Sequence, residues 1–169
     1  MSLIVAIDPG PTESAWIRFD VGVMRIVDFA KESNDTVLAL IKFWASCRVG
    51  SPTPDSPCRI VIEQIASFGM PVGAEVFETC VWSGRFMERW GGPCDRIKRH
   101  EVKTHLCHSS RAKDGNIRAA LIDKLGPPGT KAKPGPTYGI SGDAWAALAV
   151  AVTWAETRGA GATVAMGGE

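Results

Sequence analysis

Two acidic residues lie inside segments that are otherwise apolar. Asp8 closes the run LIVAID, and Glu63 lies inside IVIEQI. An ionised carboxylate removed from water is costly unless a cation or hydrogen bonds compensate it, so acids on two buried strands require a partner. A third acid, Asp143, opens the apolar segment AWAALAVAVT. Because carboxylate oxygens without neighbouring Cys or His donors suit hard cations, the three acids predict a site for Mg²⁺, with Mn²⁺ as a substitute, rather than for zinc.

The chemistry expected of such a site is phosphodiester hydrolysis. Two divalent cations held about 4 Å apart would orient a water for in-line attack and neutralise the leaving 3′ oxygen. Asp8 and Asp143 also have purely structural interpretations. An Asp before Pro-Gly, such as Asp8, often bonds the turn backbone, and the negative charge of Asp143 would be favoured at a helix N-terminus. Taken together, Asp8, Glu63 and Asp143 favour a nuclease in which they are catalytic metal ligands.

The pattern of apolar residues predicts the elements that position these acids. Strands are expected at residues 3–8, 14–20, 21–30, 59–65 and 94–100, and helices at about 34–48, 75–90, 116–125 and 143–157, with a short helix between Lys103 and Lys113. The first three strands form a hairpin-linked meander, and the later strands alternate with helices. This order predicts an α/β fold with a mixed five-stranded sheet covered by helices on both faces.

Two further segments carry structural expectations. An apolar stripe on the second helix is expected to face the core for at least half of its positions, which are Val76, Phe77, Cys80, Val81 and Gly84. The segment 127–139, PPGTKAKPGPTYG, exceeds ten residues without a regular pattern, so we expect a mobile loop there.

Composition limits the class of protein. A chain of 169 residues with 45% hydrophobic residues predicts a single domain over 1–169 with a sizeable core. No apolar run approaches the ~18 residues of a membrane helix, and the start MSLIVAIDPG lacks the pattern of a signal peptide. The five cysteines have no CxxC or zinc spacing, which indicates reduced thiols and an intracellular location such as the cytoplasm.

The charge is unevenly distributed along the chain. Residues 1–95 hold 8 Lys and Arg against 12 Asp and Glu, whereas residues 96–169 hold 11 against 6. A local basic patch can bind phosphates even in a near-neutral protein, although a solvated face is the alternative interpretation. The residues expected to contact nucleic acid are Arg96, Lys98, Arg99, Lys103, Arg111, Lys113 and Arg118.

Three motifs resemble those of a known nuclease family. The segments IVAIDPGPTES, IVIEQ and GDAWAALAVAVT, in this order, are similar to the RuvC family of Holliday junction resolvases, within the RNase H-like superfamily, over residues 3 to about 154. The resemblance implies an RNase H-like fold and a homodimer that nicks two strands of a four-way DNA junction symmetrically. It also implies that Lys103 and Lys113 contact phosphates near the cut, and that Lys113 has a catalytic role in stabilising charge in the transition state. Ordinary surface lysines are the alternative.

In such resolvases the loop after the strand glutamate enters the junction, and here it reads ASFGMPVG. Phe68, with Met70 nearby, would be the wedge that unstacks bases, and a Phe that anchors the loop in the core is the competing account. The stripe on the second helix could also form a twofold interface.

The sequence departs from the family at one position. The family usually places a further acid or a histidine one helical turn from its counterpart of Asp143, and here the residues three away are Ile140 and Ala146. A fourth ligand is therefore absent or comes from elsewhere, with Asp114 as a candidate. Waters and substrate oxygens could complete the shells of two ions held by three acids.

Three other functions were compatible with parts of the sequence. The same fold could cut structured RNA or other branched DNA, as YqgF-type relatives do, or it could be a junction-binding module with weak or lost catalysis. The segment IDPGPTES also resembles the phosphate loop of actin-like ATPases and sugar kinases. Those proteins need two lobes to enclose a nucleotide, and no GxxxxGK[ST] loop is present, so no nucleotide cofactor is expected.

Overall fold

A five-stranded mixed sheet forms the centre of the fold. The computed structural model describes residues 3–50, 52–53, 56–66, 69 and 71–159. The strands lie in the order β3-β2-β1-β4-β5, with β1–β2–β3 antiparallel and β1–β4–β5 parallel. This is the predicted α/β architecture. The strands are β1 (Leu3–Asp8), β2 (Glu13–Asp20), β3 (Arg25–Ser33), β4 (Arg59–Gln64) and β5 (Cys94–Lys98).

Helices cover both faces of this sheet, as predicted. They are α1 (Asn34–Gly50), α2 (Ala74–Trp90), α3 (Arg99–Cys107), α4 (Asp114–Leu125) and α5 (Ala144–Trp154), which continues into a π-helical turn (Ala155–Gly159). Because side chains alternate along a strand, Ile4 and Ala6 of β1 join a core with α3, α4 and α5, whereas Val5 and Ile7 join a second core with α1 and α2. A strand buried on both faces reads as a continuous apolar run, which explains LIVAI.

Two strands, β3 and β5, differ by more than one residue from their predicted bounds. The turn after β2 spans residues 21–24, so β3 begins at Arg25 rather than at residue 21, and it continues to Ser33. The Asp20 carboxylate accepts the backbone N–H of Gly22 at 3.0 Å, and Met24 adopts a positive φ of 51°, which together widen the turn. At the other edge, β5 stops at Lys98 and Arg99 begins α3, whereas the sequence predicted a strand to residue 100.

The expected apolar stripe of α2 does not face the core. Phe77 and Val81 are 62% and 56% exposed, and Cys80 and Gly84 are exposed as well. The helix instead buries Thr79, Phe86 and Trp90, which recur at helical spacing on another face. The prediction that at least half of the stripe is core is therefore wrong. The large aromatic side chains of Phe86 and Trp90 are buried against β4 and α1, and their burial sets the rotation of the helix about its axis.

Residues 127–139 form an organised turn against the end of α4. Gly129 bridges Pro134, and the buried hydroxyl of Thr137 donates to the carbonyl of Gly126 at 2.8 Å. The mobility expected of this loop stays a prediction. Within the described residues, none of the helices has the length and apolar character needed to cross a bilayer.

Candidate active site

Asp8 and Glu63 lie side by side at the carboxyl ends of the two central parallel strands. The register pairs Ile7 of β1 with Ile62 of β4, so the next residues along each strand are neighbours. Both acids also share a face with Ala6 and Val61, which belong to the core beneath α5. The parallel pairing and the alternation of side chains thus place two carboxylates together on the α5 side of the sheet.

Asp143 reaches the same place from the N-terminal end of α5. It is the N-cap residue of that helix, but its side chain makes no capping hydrogen bond, so the simple capping interpretation does not account for it. The three acids line one cleft of about 100 Å³. The other lining residues are Arg99, Val102, Asp114, Ile117, Gly142, Trp145, Ala146 and Ala149.

The cleft strongly opposes negative charge on Asp8. Burial, followed by the charges of Glu63 and Asp143, raises the pKa of Asp8 from 3.8 to about 7. Burial also raises the pKa of Glu63, while the Arg99 guanidinium acts in the opposite direction. Among the described residues, the Asp8 carboxylate forms no salt bridge. A cation bound at the centre of the cleft would therefore stabilise the ionised form of Asp8.

The two acids that flank Asp8 are each paired with a basic side chain. Arg99 donates to Glu63 at 3.1 Å, and Lys31 of β3 lies 2.9 Å from Asp143. In the part of the chain that the structure describes, no group of three or more acidic, His or Cys side chains converges closely enough to hold a metal ion. The donor set nonetheless fits a hard divalent cation, because its carboxylates supply oxygen only and are mutually repulsive.

The turn after Asp8 is fixed by buried hydrogen bonds that the sequence analysis did not identify. Asn34 donates to the carbonyl of Gly10 at 2.9 Å and accepts from the Ser14 hydroxyl at 2.6 Å, while the Gly10 N–H donates to Ser14. A Cβ on Gly10 would lie 2.3 Å from the carbonyl oxygen of Glu13, so only glycine fits there. The sequence pattern predicts Asn34 only as the start of the first helix.

The sequence predicts Arg99 as a DNA contact and Asp114 as a candidate fourth metal ligand, and both line the cleft. Arg99 was expected to contact DNA, but its guanidinium joins Glu63 to Asp114, which it meets at 2.7 Å. Asp114 is the first residue of α4 and lines the cleft. It therefore lies where a fourth metal ligand would be needed. The only sequence signal for Asp114 was the lack of an acid near Asp143.

The other basic residues of the segment 96–118 do not line the cleft. The charge of Lys103, on α3, opposes the increase that burial causes in the pKa of Glu63, whereas the backbone N–H of Lys113 donates to the Asn116 side chain at 2.9 Å at the start of α4. Arg118 stacks over Trp145 at 5.1 Å. Arg96 and Lys98 lie on β5, and Arg111 lies in the turn between α3 and α4. Phe68 and Met70, the expected wedge, lie outside the described residues.

Comparisons with known proteins identify the fold. No protein-family model matches the sequence, and no curated protein matches it either. Among solved structures, the chain is similar to Thermus thermophilus RuvC, with a TM-score of 0.67 and 18% identity over 94% of this chain and 96% of that one. It is also similar to T. thermophilus RuvC in complex with Holliday junction substrate, with a TM-score of 0.65 and 16% identity over 94% and 97% of the two chains. The chain therefore has the RuvC-type, RNase H-like fold that the sequence motifs predicted.

Proposed function

We propose that this protein is a metal-dependent endonuclease that resolves four-way DNA junctions. The observation that carries the proposal is that Asp8, Glu63 and Asp143 line one cleft at the carboxyl ends of the central strands. The fold adds support, since a structure with the same fold is a RuvC in complex with a Holliday junction substrate.

The residues of the cleft have complementary tasks in this reaction. Asp8, Glu63 and Asp143 would hold Mg²⁺ or Mn²⁺, with Asp114 as a candidate fourth ligand. When bound, two such ions would supply an activated water and neutralise the leaving oxygen. The buried pair Asp8 and Glu63 is fixed by the sheet, so these two carboxylates are held in position before any ligand arrives. The Asp143 side chain is 55% exposed, so DNA that approaches the cleft would have access to it.

The basic segment supplies the DNA-binding surface in this proposal. Lys103 lies close enough to influence Glu63, and Lys113 is the N-cap residue of the helix that begins at Asp114. These positions are suited to phosphate contacts next to the scissile bond, and Lys113 would stabilise charge in the transition state. Arg96, Lys98, Arg111 and Arg118 would contact phosphates further away, and Phe68 and Met70 would enter the junction.

The enzyme is proposed to act as a homodimer, because two symmetric nicks require two copies of the cleft. The exposed residues Phe77 and Val81 of α2 offer an apolar surface that a second copy could cover through a twofold axis. Exposed apolar residues that recur along one helix face are typical of such interfaces.

A cleavage assay tests the proposed function. The protein is incubated with labelled four-way junction, linear duplex and hairpin RNA, each with Mg²⁺, Mn²⁺ or EDTA. We expect symmetric nicking of the junction with either metal, none with EDTA, and little cleavage of duplex or RNA. Asp8→Asn should abolish cutting but keep junction binding, because phosphate contacts come from basic residues. Asp123→Asn, an exposed acid of α4 outside the cleft, is the matched control.

One observation favours a second candidate, a junction-binding module without catalysis. Glu63 and Asp143 are paired with Arg99 and Lys31, and the described acids do not converge on a metal position. Tight junction binding without cutting in either metal would support that module and contradict the nuclease. Equal cutting of junction, duplex and RNA would instead indicate a nuclease without junction selectivity.

A further inference from the structure

Arg99 occupies an unusual position for a basic residue of a DNA-binding segment. It is the first residue of α3, and its guanidinium reaches into the acidic cleft. One terminal nitrogen donates to Glu63 Oε1 at 3.1 Å, and the other donates to Asp114 Oδ1 at 2.7 Å. The guanidinium therefore holds an oxygen that a metal ligand would have to offer to the cation.

The Arg99–Glu63 contact is strong and the Arg99–Asp114 contact is weak, because the two carboxylates differ in their exposure to water. The Glu63 side chain is 10% exposed, so its charge has little access to water, whereas the Asp114 side chain is 81% exposed. Burial works against a charged Arg99, but Glu63 and Asp114 together raise its pKa. Water screens the Asp114 contact, so most of the stabilisation comes from Glu63.

The geometry also provides a way for Arg99 to leave Glu63. The Arg99 side chain is 41% exposed and two different nitrogens make its two contacts, so the guanidinium can remain bonded to Asp114 while it releases Glu63. A long, flexible arginine side chain allows this rearrangement without movement of the α3 backbone.

We propose that Arg99 is a resident cation of the metal-free site, which neutralises Glu63 and must be displaced from it before a divalent cation can bind. The inference rests on the proposed function, because it assumes that Glu63 is a metal ligand. Arg99 is then a residue that sets metal affinity: it keeps a buried carboxylate compensated in the absence of metal, and it weakens metal binding by direct competition.

A simple alternative predicts the opposite effect. If Arg99 positions Glu63 for coordination, removing it would leave the carboxylate misplaced and would weaken metal binding. If the two cations compete, removing Arg99 frees an oxygen and eliminates a nearby positive charge, so binding becomes tighter. The sign of the change in affinity therefore distinguishes the two roles.

The experiment measures Mn²⁺ binding to the full chain without DNA, by calorimetric titration and by the loss of the free Mn²⁺ signal in electron paramagnetic resonance. The variants are Arg99→Gln, Arg99→Lys and Arg25→Gln. Arg25 is an exposed arginine at the start of β3, so its variant has the same loss of charge far from the cleft. Circular dichroism verifies that each variant is folded.

We expect Arg99→Gln to bind Mn²⁺ about tenfold more tightly than the wild type, and Arg25→Gln to bind with wild-type affinity. The Mn²⁺ affinity of Arg99→Lys should lie between those of Arg99→Gln and the wild type, since an ammonium keeps the charge but cannot make both hydrogen bonds in the same geometry. This variant also tests the proposal if Arg99→Gln does not fold. Equal or weaker Mn²⁺ binding by Arg99→Gln would overturn the role of Arg99 alone. The lack of saturable binding by every protein, wild type included, would overturn the metal site of the proposed function and this inference with it.

Discussion

Substituting Asp8 by Asn should make the metal-free protein more stable at neutral pH. Asp8 lies next to Glu63, and its own burial together with the charges of Glu63 and Asp143 raises its pKa to about 7. Without metal, ionisation of Asp8 therefore lowers the free energy of unfolding. Asn has nearly the same shape and lacks the charge, so Asp8→Asn removes this effect.

The magnitude and its pH dependence follow from the raised pKa. Because the folded-state value is above the unfolded value of 3.8, the folded wild type keeps a proton that the unfolded chain has lost between about pH 4 and pH 7. Stability from this proton is fully present below pH 4 and is lost as the pH rises through 7. At 1.36 kcal/mol per pH unit, the loss totals about 4 kcal/mol, of which about 3 kcal/mol falls between pH 5 and pH 8.

Urea denaturation followed by tryptophan fluorescence, in EDTA at pH 5 and pH 8, measures this difference. The advantage of Asp8→Asn over the wild type should grow by about 3 kcal/mol between the two pH values, whereas the exposed Asp123→Asn should stay within about 0.5 kcal/mol of the wild type at both. Adding Mn²⁺ at pH 8 should stabilise the wild type and leave Asp8→Asn unchanged. An Asp8→Asn variant that is no more stable than the wild type at pH 8, or an advantage independent of pH, would mean that burial does not raise the pKa of Asp8 in the folded protein.

Three other predictions concern the fold and the proposed DNA-binding surface. Asn34→Ala should lower the free energy of unfolding by about 2 kcal/mol in urea titrations, because the Gly10 carbonyl loses a buried partner, and a change below about 0.5 kcal/mol would contradict this role. Phe86→Ala should cost about 3 to 5 kcal/mol by the same method, whereas Phe77→Ala should cost less than about 0.5 kcal/mol at concentrations where the protein is monomeric; similar losses would mean that the orientation of α2 is wrong. Lys103→Ala should weaken junction binding in EDTA and reduce the slope of log affinity against log salt by about 0.9, measured by fluorescence anisotropy, and an unchanged slope would exclude a phosphate contact.

The sequence was sufficient to predict the sheet and the place where the acids meet. The run LIVAI is apolar because β1 is covered on both faces, and the run IVI is apolar for the same reason in β4. Once both were recognised as neighbouring buried strands, the acids at their ends had to be close together. These inferences depend only on local patterns and on general rules of sheet construction.

The partners of the acids could not be predicted in this way. Arg99 is 36 residues from Glu63, and Lys31 reaches Asp143 from β3, which is far away in the chain. Neither contact leaves a local pattern, because a salt bridge between distant elements depends on where the folded chain brings them. Arg99 was consequently grouped with its basic neighbours as a DNA-binding residue.

The face of α2 was misjudged for a related reason. Val76, Phe77, Cys80 and Val81 are spaced as a core-facing stripe would be, but Phe86 and Trp90 define another apolar face. Periodicity identifies an amphipathic helix without deciding between two such faces. Packing against α1 and β4 makes the choice, and it leaves Phe77 and Val81 available to a second copy.

Anomalous diffraction from crystals grown with Mn²⁺ most directly tests the claim that these acids form a metal centre. If the acids hold metal, anomalous peaks should lie in the cleft within about 2.0 to 2.4 Å of carboxylate oxygens of Asp8, Glu63 and Asp143, with the Arg99 guanidinium moved away from Glu63. A well-ordered cleft that lacks such peaks at millimolar Mn²⁺, with Arg99 and Lys31 still paired with their acids, would contradict this claim.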